Sequence, residues 1–252
     1  MSAYSDEELL ALQRTLYESG NPTRRWLHTT RRDWILERIA NLGKGARRAL
    51  EVGPGSGVYL PALAEVAEEV VAADIETAYL AQAETLSQQI GHLQCVQDDI
   101  TDTRLPPGYF DLILCTEVIE HIEDSQAALA GLRSLLSDSG VLILSTPQRY
   151  SPLELCAKVA FLPGIIQIVR WIYREPIIET GHINLLTERE LERQLQTAGL
   201  RTSEQFKSGF YLPLVAELLG GTGQRFLRWC ESRLRGSWLS GLLWTQYRVL
   251  GK

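Results

Sequence analysis

The chain has 252 residues, of which 45% are apolar and 22% charged, and a net charge of −6. This composition excludes general disorder, and the acidity weighs against a dedicated nucleic-acid binder. Cys95, Cys115, Cys156 and Cys230 form no CxxC pair, which argues against a disulfide framework or a zinc ribbon.

The start, MSAYSDEELL, is acidic and lacks the apolar core of a secretory signal. The longest apolar stretch, Val159 to Tyr173, is broken by Pro163, Gln167 and Arg170 and is not a spanning helix. Charge is uneven along the chain. Residues 1–50 carry net +3, residues 51–148 net −14, residues 149–206 balance, and residues 207–252 carry net +5. All six tryptophans lie outside the acidic middle.

In chain order, residues 5–18 read as a helix with Ser5 and Glu8 as a capping box. A second helix is predicted over 23–41 and stops before Gly43. Ala49 to Val52 then reads as a strand ending in a Gly-rich turn. Helix 59–68, strand 70–73, helix 78–89, strand 92–96, strand 110–115, helix 125–136 and strand 141–145 follow. Short apolar strands alternating with helices predict right-handed crossovers and an α/β, doubly wound, mostly parallel sheet covered on both faces. Residues 148–182 read as an insertion with an apolar helix around Ile165–Tyr173. Thr187 to Ala198 is predicted as a capped helix stopped by Gly199, 200–207 as a strand, 211–219 and 223–235 as helices, and 245–250 as a last strand. One domain is expected over 1–252: a helical cap (1–48), a cofactor-binding half (49–147), a lid (148–186) and a C-terminal half with a helical insert (187–252).

The chemistry concentrates at strand ends. Leu50-Glu51-Val52-Gly53-Pro54-Gly55-Ser56-Gly57 sits where the first strand turns into a helix. Alternate glycines allow a tight turn and close approach of a ligand to the backbone. The spacing is neither GxGxxG nor a Walker loop. Glu51, Asp74, Asp98 and Asp99 all fall at strand ends, which repels a pyrophosphate and suits a cationic nucleoside ligand.

These segments resemble the class I S-adenosylmethionine-dependent methyltransferases. LEVGPGSG is similar to that family's first motif, VVAADI to the end of its second strand, CVQDDI to the third, FDLILCTEVIEHIED to the fourth and GVLILSTP to the fifth. EVIEHIED and GHINLLTERELERQLQTAGL look most like small-molecule methyltransferases of the ubiquinone-biosynthesis type. The resemblance implies a seven-stranded Rossmann-like sheet with helical caps, and S-adenosyl-L-methionine as cofactor. It implies that Gly53, Gly55 and Gly57 cradle the methionyl part and that Glu51 holds its ammonium. Asp74 would take the ribose hydroxyls, Ile75 an adenine face and Asp99 the adenine amino group, with Asp98 as the rival in that doublet. Ile100 would flank the ring, and Thr116 and Glu117 would lie under the sulfonium.

An in-line SN2 displacement needs alignment above all, and a base only for a weakly acidic acceptor. His182 and His121 are the candidate bases. His28 and His92 read as structural. No metal-ligand constellation is visible along the sequence, so no metal is expected.

Cys115-Thr116-Glu117-Val118 replaces the Asn/Asp-Pro-Pro-aromatic turn of base N-methylating enzymes, so no nucleic-acid partner is expected. Ile165, Ile168, Val169 and Ile172 beside Trp171, with Arg170 and Arg174, form one amphipathic stripe. Phe226, Leu227, Trp229 and Cys230 flanked by Arg225, Arg228, Arg233 and Arg235 form another. Either packs as a lid or meets a bilayer surface. The run Asn21–Arg32 closes over the cofactor, binds an acidic acceptor or is simply solvated. The expectation is methyl transfer, most naturally to oxygen, on a small apolar or amphipathic acceptor, in a cytoplasmic protein with a peripheral membrane contact. Methylation of a protein or RNA, or a non-catalytic binding module, are the alternatives.

Overall fold

A computed structural model describes residues 16–19, 22–160, 167, 181–212 and 215–252. The expected helix 5–18 lies outside these apart from Leu16–Glu18, a single 3-10 turn. The stripe of Ile165, Ile168, Val169, Trp171 and Ile172 with Arg170 and Arg174 also lies outside them.

Seven strands form one sheet: β1 (Ala46–Val52), β2 (Ala67–Asp74), β3 (Leu93–Gln97), β4 (Phe110–Thr116), β5 (Leu136–Pro147), β6 (Arg201–Ser208) and β7 (Thr245–Gly251). Their order is β3-β2-β1-β4-β5-β7-β6. The first five are parallel, and β7 runs antiparallel to both β5 and β6. Strand order reverses between β1 and β4, the switch point where open α/β sheets bind ligands at the carboxyl ends of their strands.

Side chains alternate across this sheet with period two. Leu50, Val71, Ile113 and Leu144 face one apolar layer, while Ala49, Val70, Leu112 and Ile143 face the other. Helices α1 (Pro22–Leu42), α2 (Leu60–Val66) and α3 (Thr77–Ser87) cover the second layer. Helices α4 (Ser125–Leu135) and α6 (Glu188–Ala198) cover the first, and α5 (Pro152–Ala160) precedes α6. Eleven residues make a marginal helix in water. Helix α4 is held by burial of Leu129, Leu132 and Leu135, about 2 kcal/mol apiece. Asp124 caps it by accepting from the Ala127 amide at 2.9 Å. The expected cap of α6 is present: Thr187 and Glu190 form a reciprocal capping box, and Gly199 ends the helix in the left-handed region.

Two helices were expected over 211–219 and 223–235. The structure has two helical segments there, which together make up α7 (Val215–Leu234) and are separated at Gly220, whose φ of 47° and ψ of −129° no side-chain-bearing residue readily adopts. Strand β5 starts at Leu136 rather than at 141, because its polar first half pairs with β4 at Phe110 before the apolar run begins. A third apolar cluster joins α1 to the C-terminal cap through Trp26, Leu27, Phe210, Tyr211, Leu227 and Leu243.

Candidate active site

Strand β1 brings Glu51 to the switch point. Its carboxylate is 1% exposed and Oε2 has no hydrogen-bond partner. Burial pushes its pKa well above the ordinary carboxylate value. An unpaired buried carboxylate is costly, and a cation in the adjacent turn relieves it. The turn leaves no space for side chains. Gly53 (φ 69°) donates its amide to Ala73 O at 2.9 Å, and a Cβ there would lie 2.4 Å from Val118 Cγ2. A Cβ on Gly57 (φ 70°) would lie 2.8 Å from Leu86 Cδ1, and Gly55 between them is also left-handed.

Strand β2 ends in Asp74, whose Oδ1 accepts from the Glu76 amide at 3.0 Å. Partial burial raises its pKa, and that amide lowers it in part. Beside it, Ile75, Gln97, Asp98, Asp99, Asp102 and Arg104 line an open pocket of about 350 Å³. Ile75 is 56% exposed and presents bare aliphatic surface there. Both aspartates of the doublet reach the pocket. Asp98 Oδ1 accepts from the Arg104 amide at 2.8 Å. Asp99 Oδ1 caps a 3-10 turn through the amide and hydroxyl of Thr101. Ile100, the next residue, is buried and packs in the core with Leu129 and Leu132.

Strand β4 delivers Thr116 and Glu117. Glu117 has φ 56°, the one left-handed non-glycine among the described residues. Its surroundings hold it there. Its amide donates to Ser145 O at 2.9 Å, Ser145 Oγ donates to Oε1 at 2.9 Å, and Arg31 Nη1 donates to Oε2 at 2.5 Å. Arg31 comes from α1, lies over the Trp244 ring at 5.8 Å and is almost wholly buried. Burial draws its pKa down, but Glu117 and three nearby tyrosines raise it on balance, so it stays charged. Sequence reading missed this clasp. Its one signal is that Arg31 belongs to the arginine-rich run 21–32.

The two candidate histidines meet. The rings of His121 and His182 lie 5.2 Å apart although 61 positions separate them in sequence. His121 Nδ1 donates to Gly181 O at 3.3 Å. Burial of its inner edge and the neighbouring His182 hold its pKa below the ordinary imidazole value. His182 Nδ1 donates to Glu154 Oε2 at 3.2 Å, which leaves its Nε2 lone pair free. Glu154, from α5, also accepts from Trp244 Nε1 at 2.9 Å. Burial alone would raise its pKa, but the His182 and Trp244 hydrogen bonds hold it low. Nothing in the sequence marks Glu154 as a partner. His28 and His92 are placed structurally. His28 is buried edge-on against Trp244, and His92 Nε2 donates to Ala64 O at 3.1 Å.

No metal site was expected from the sequence, and the fold brings together three groups that the sequence reading did not join. Carboxylate and imidazole ligand atoms of Glu120, His121 and His182 lie within 4.8 Å of one another. Glu120 is fully buried, Oε2 accepts from Thr146 Oγ1 at 3.1 Å, and Oε1 has no partner. Burial, then the nearby Glu117, pushes its pKa well up. Such a trio can hold a divalent cation. It escaped the sequence reading because its third member arrives from the far end of the insertion.

Residues 24–205 match the family described as Methyltransferase domain, well over half of the chain. The chain belongs to this family. The chain is 34% identical over 128 residues to the ubiquinone biosynthesis O-methyltransferase of Xanthomonas campestris pv. campestris, covering 49% of this chain and 51% of that one. It thus spans about half the length of the first curated relatives it matches. Among solved structures, a SAM-dependent methyltransferase from Aquifex aeolicus aligns over 98% of both chains with TM-score 0.58 and 14% identity. The N-methyltransferase NodS from Bradyrhizobium japonicum, solved with S-adenosyl-L-homocysteine, aligns over 97% of this chain and 95% of its own with TM-score 0.58 and 16% identity. These likenesses show a Rossmann-like fold shared with methyltransferases, and the two named neighbours are a SAM-dependent enzyme and one solved with S-adenosyl-L-homocysteine. The residues present fit that cofactor: an orphaned buried carboxylate at Glu51, a turn that a Cβ would fill, and Asp74 beside an acidic pocket.

Proposed function

We propose that this chain transfers a methyl group from S-adenosylmethionine to an oxygen of a small, apolar or amphipathic acceptor. The carrying observation is Glu51, a fully buried carboxylate with an unpartnered oxygen at the switch point of a methyltransferase fold. When bound, the cofactor supplies an electrophilic methyl on a sulfonium. The chain's own residues do the rest. Glu51 would neutralise the ammonium, with Gly53, Gly55 and Gly57 giving it access. Asp74 would accept from the ribose hydroxyls, and Ile75 with Asp98 or Asp99 would hold the base. Thr116 and Glu117 would border the sulfonium, with Glu117 fixed by Arg31 and Ser145. His182, oriented by Glu154, would take the acceptor proton at Nε2, and His121 lies beside it as the alternative base.

The Glu120–His121–His182 cluster supports a second reading of the acceptor end. A divalent cation held there would lower the pKa of an acceptor hydroxyl and reduce the demand on a base. Oxygen as the target is supported by the O-methyltransferase relatives. An amphipathic acceptor met at a bilayer is supported by the outer face of α7. There Phe226 and Trp229 are exposed and stacked 6.2 Å apart, Arg233 lies 5.5 Å over Trp229, and Arg225 and Arg228 are exposed nearby.

The test is transfer of radiolabelled methyl into cell extract separated into lipid, small-molecule and macromolecular pools. Label in the lipid or small-molecule pool is expected, and label confined to macromolecules would overturn the acceptor class. Repeating the assay with a chelator decides the second reading. Loss of transfer restored by magnesium supports it, and unchanged transfer contradicts it.

A further inference from the structure

Beyond the methyl-transfer site, a wide groove of about 680 Å³ runs between α6 and the edge strand β6, floored by β7. It shares no lining residue with the site described above. Two buried polar groups on its wall lack partners. Arg248 is 0% exposed. Its Nη1 donates to Tyr247 O at 2.9 Å, Nη2 makes only a loose 3.5 Å ion pair with Glu188, and Nε has no partner. Thr202 Oγ1 is buried and also has none. Leaving donors unpaired inside a protein is costly, so their convergence on one groove points to something that accepts from them.

The charges in the groove agree. Two of its three acids are paired with cations from outside the groove, Glu188 with Lys207 at 2.6 Å and Glu204 with Arg38 at 2.6 Å, and only Glu192, which accepts from the neutral Gln196 amide at 3.1 Å, keeps its charge uncompensated by such a pair. Its other arginines, Arg189 and Arg193, form no ion pair among the described residues, and they sit one helical turn apart on α6. The uncommitted charge in the groove is therefore positive on balance. Burial, only partly offset by Glu188 and Glu192, pulls the Arg248 pKa below the ordinary arginine value, a cost that an added anion removes.

We infer that this groove is a second binding site, for a small ligand bearing an oxyanion that accepts from Arg248 Nε and Thr202 Oγ1 and meets Arg189 or Arg193. The local fold gives the cause. A bulge in β6 between Thr202 and Glu204 breaks its register with β7, and it lies beside these orphaned groups. A groove of this size takes a metabolite larger than a bare ion. Phosphate and carboxylate share the required chemistry.

The test follows the side-chain Nε–H signal of Arg248 in the full chain labelled with ¹⁵N-arginine. It is titrated separately with inorganic phosphate and with succinate, against sodium chloride at equal ionic strength. A saturable shift with either oxyanion and not with chloride is expected. The arm that responds identifies the ligand class, and response to both means that the site reads the oxyanion alone. Arg248→Lys assigns the signal. Should that variant fail to fold, Thr202→Val and Arg193→Gln carry the test, because neither removes a paired group. Each should weaken binding by about fivefold. No shift up to about 50 mM of either anion, an equal shift with chloride, or unchanged midpoints in both variants would overturn the assignment.

Discussion

Glu51 sets function against stability. Its pKa is raised in the folded chain, so between the ordinary value of 4.5 and the raised one the native state binds more protons than the unfolded state. Stability of the cofactor-free chain therefore falls as pH rises above about 4.5 through that window, and this cost is absent below it. Glu51→Gln removes the cost. It should raise the Tm of the cofactor-free chain at pH 7 by roughly 2–4 °C while weakening S-adenosylmethionine binding. Thermal scans at pH 4 and pH 7 check this, since the gain should vanish at the lower pH. Such residues are readable from sequence where a motif carries them. Glu51 and Asp74 lie at strand ends and Gly53 and Gly57 in a left-handed turn, as the sequence pattern leads one to expect, because strand ends and glycine turns are local features. Arg31, Glu154 and the meeting of Glu120 with His182 are not readable, because each depends on segments tens of residues apart. The burial of Ile100 is not readable for the same reason: only the packing of α4 shows it.

At the scale of elements, α4 connects the core to the β3 end of the candidate site. It crosses the 3-10 turn Ile100–Asp102 at Gly131, where a Cβ would lie 2.0 Å from Ile100 O. Alanine ordinarily favours a helix interior by about 1 kcal/mol over glycine. Here the clash with backbone reverses the sign, since overpacking costs roughly 1–3 kcal/mol. Gly131→Ala should destabilise the chain in urea unfolding. It should also weaken cofactor binding by displacing Asp99, which caps the same turn. The order of strands and helices was legible because apolar runs and glycine stops carry it. The two segments of α7 were legible as well, because the glycines that interrupt the pattern there include Gly220, where the helical geometry breaks.

Across the whole molecule the net charge of −6 conceals a division. The acidic middle builds the end of the sheet that would take a cation. The positive flanks build the caps, where the α1 arginine Arg31 clasps Glu117 and α7 turns arginines and aromatic rings outward. No helix among the described residues is long and apolar enough to cross a membrane. A bilayer contact would be peripheral and electrostatic, with Trp238, 90% exposed just beyond α7, adding to the apolar face. The chain should co-float with anionic vesicles at low salt, less so at about 0.5 M salt, and much less as Trp229→Ser. Equal recovery with neutral vesicles would remove the electrostatic part of this reading. The central claim is that the β1–β2 end of this sheet holds S-adenosylmethionine. Calorimetric titration with S-adenosyl-L-homocysteine tests it most directly. The wild-type chain should bind one equivalent, and Asp74→Ala, which loses two charge-assisted hydrogen bonds, should bind at least about 20-fold more weakly. No heat of binding in the folded wild-type chain, or equal affinity in Asp74→Ala, would contradict the account.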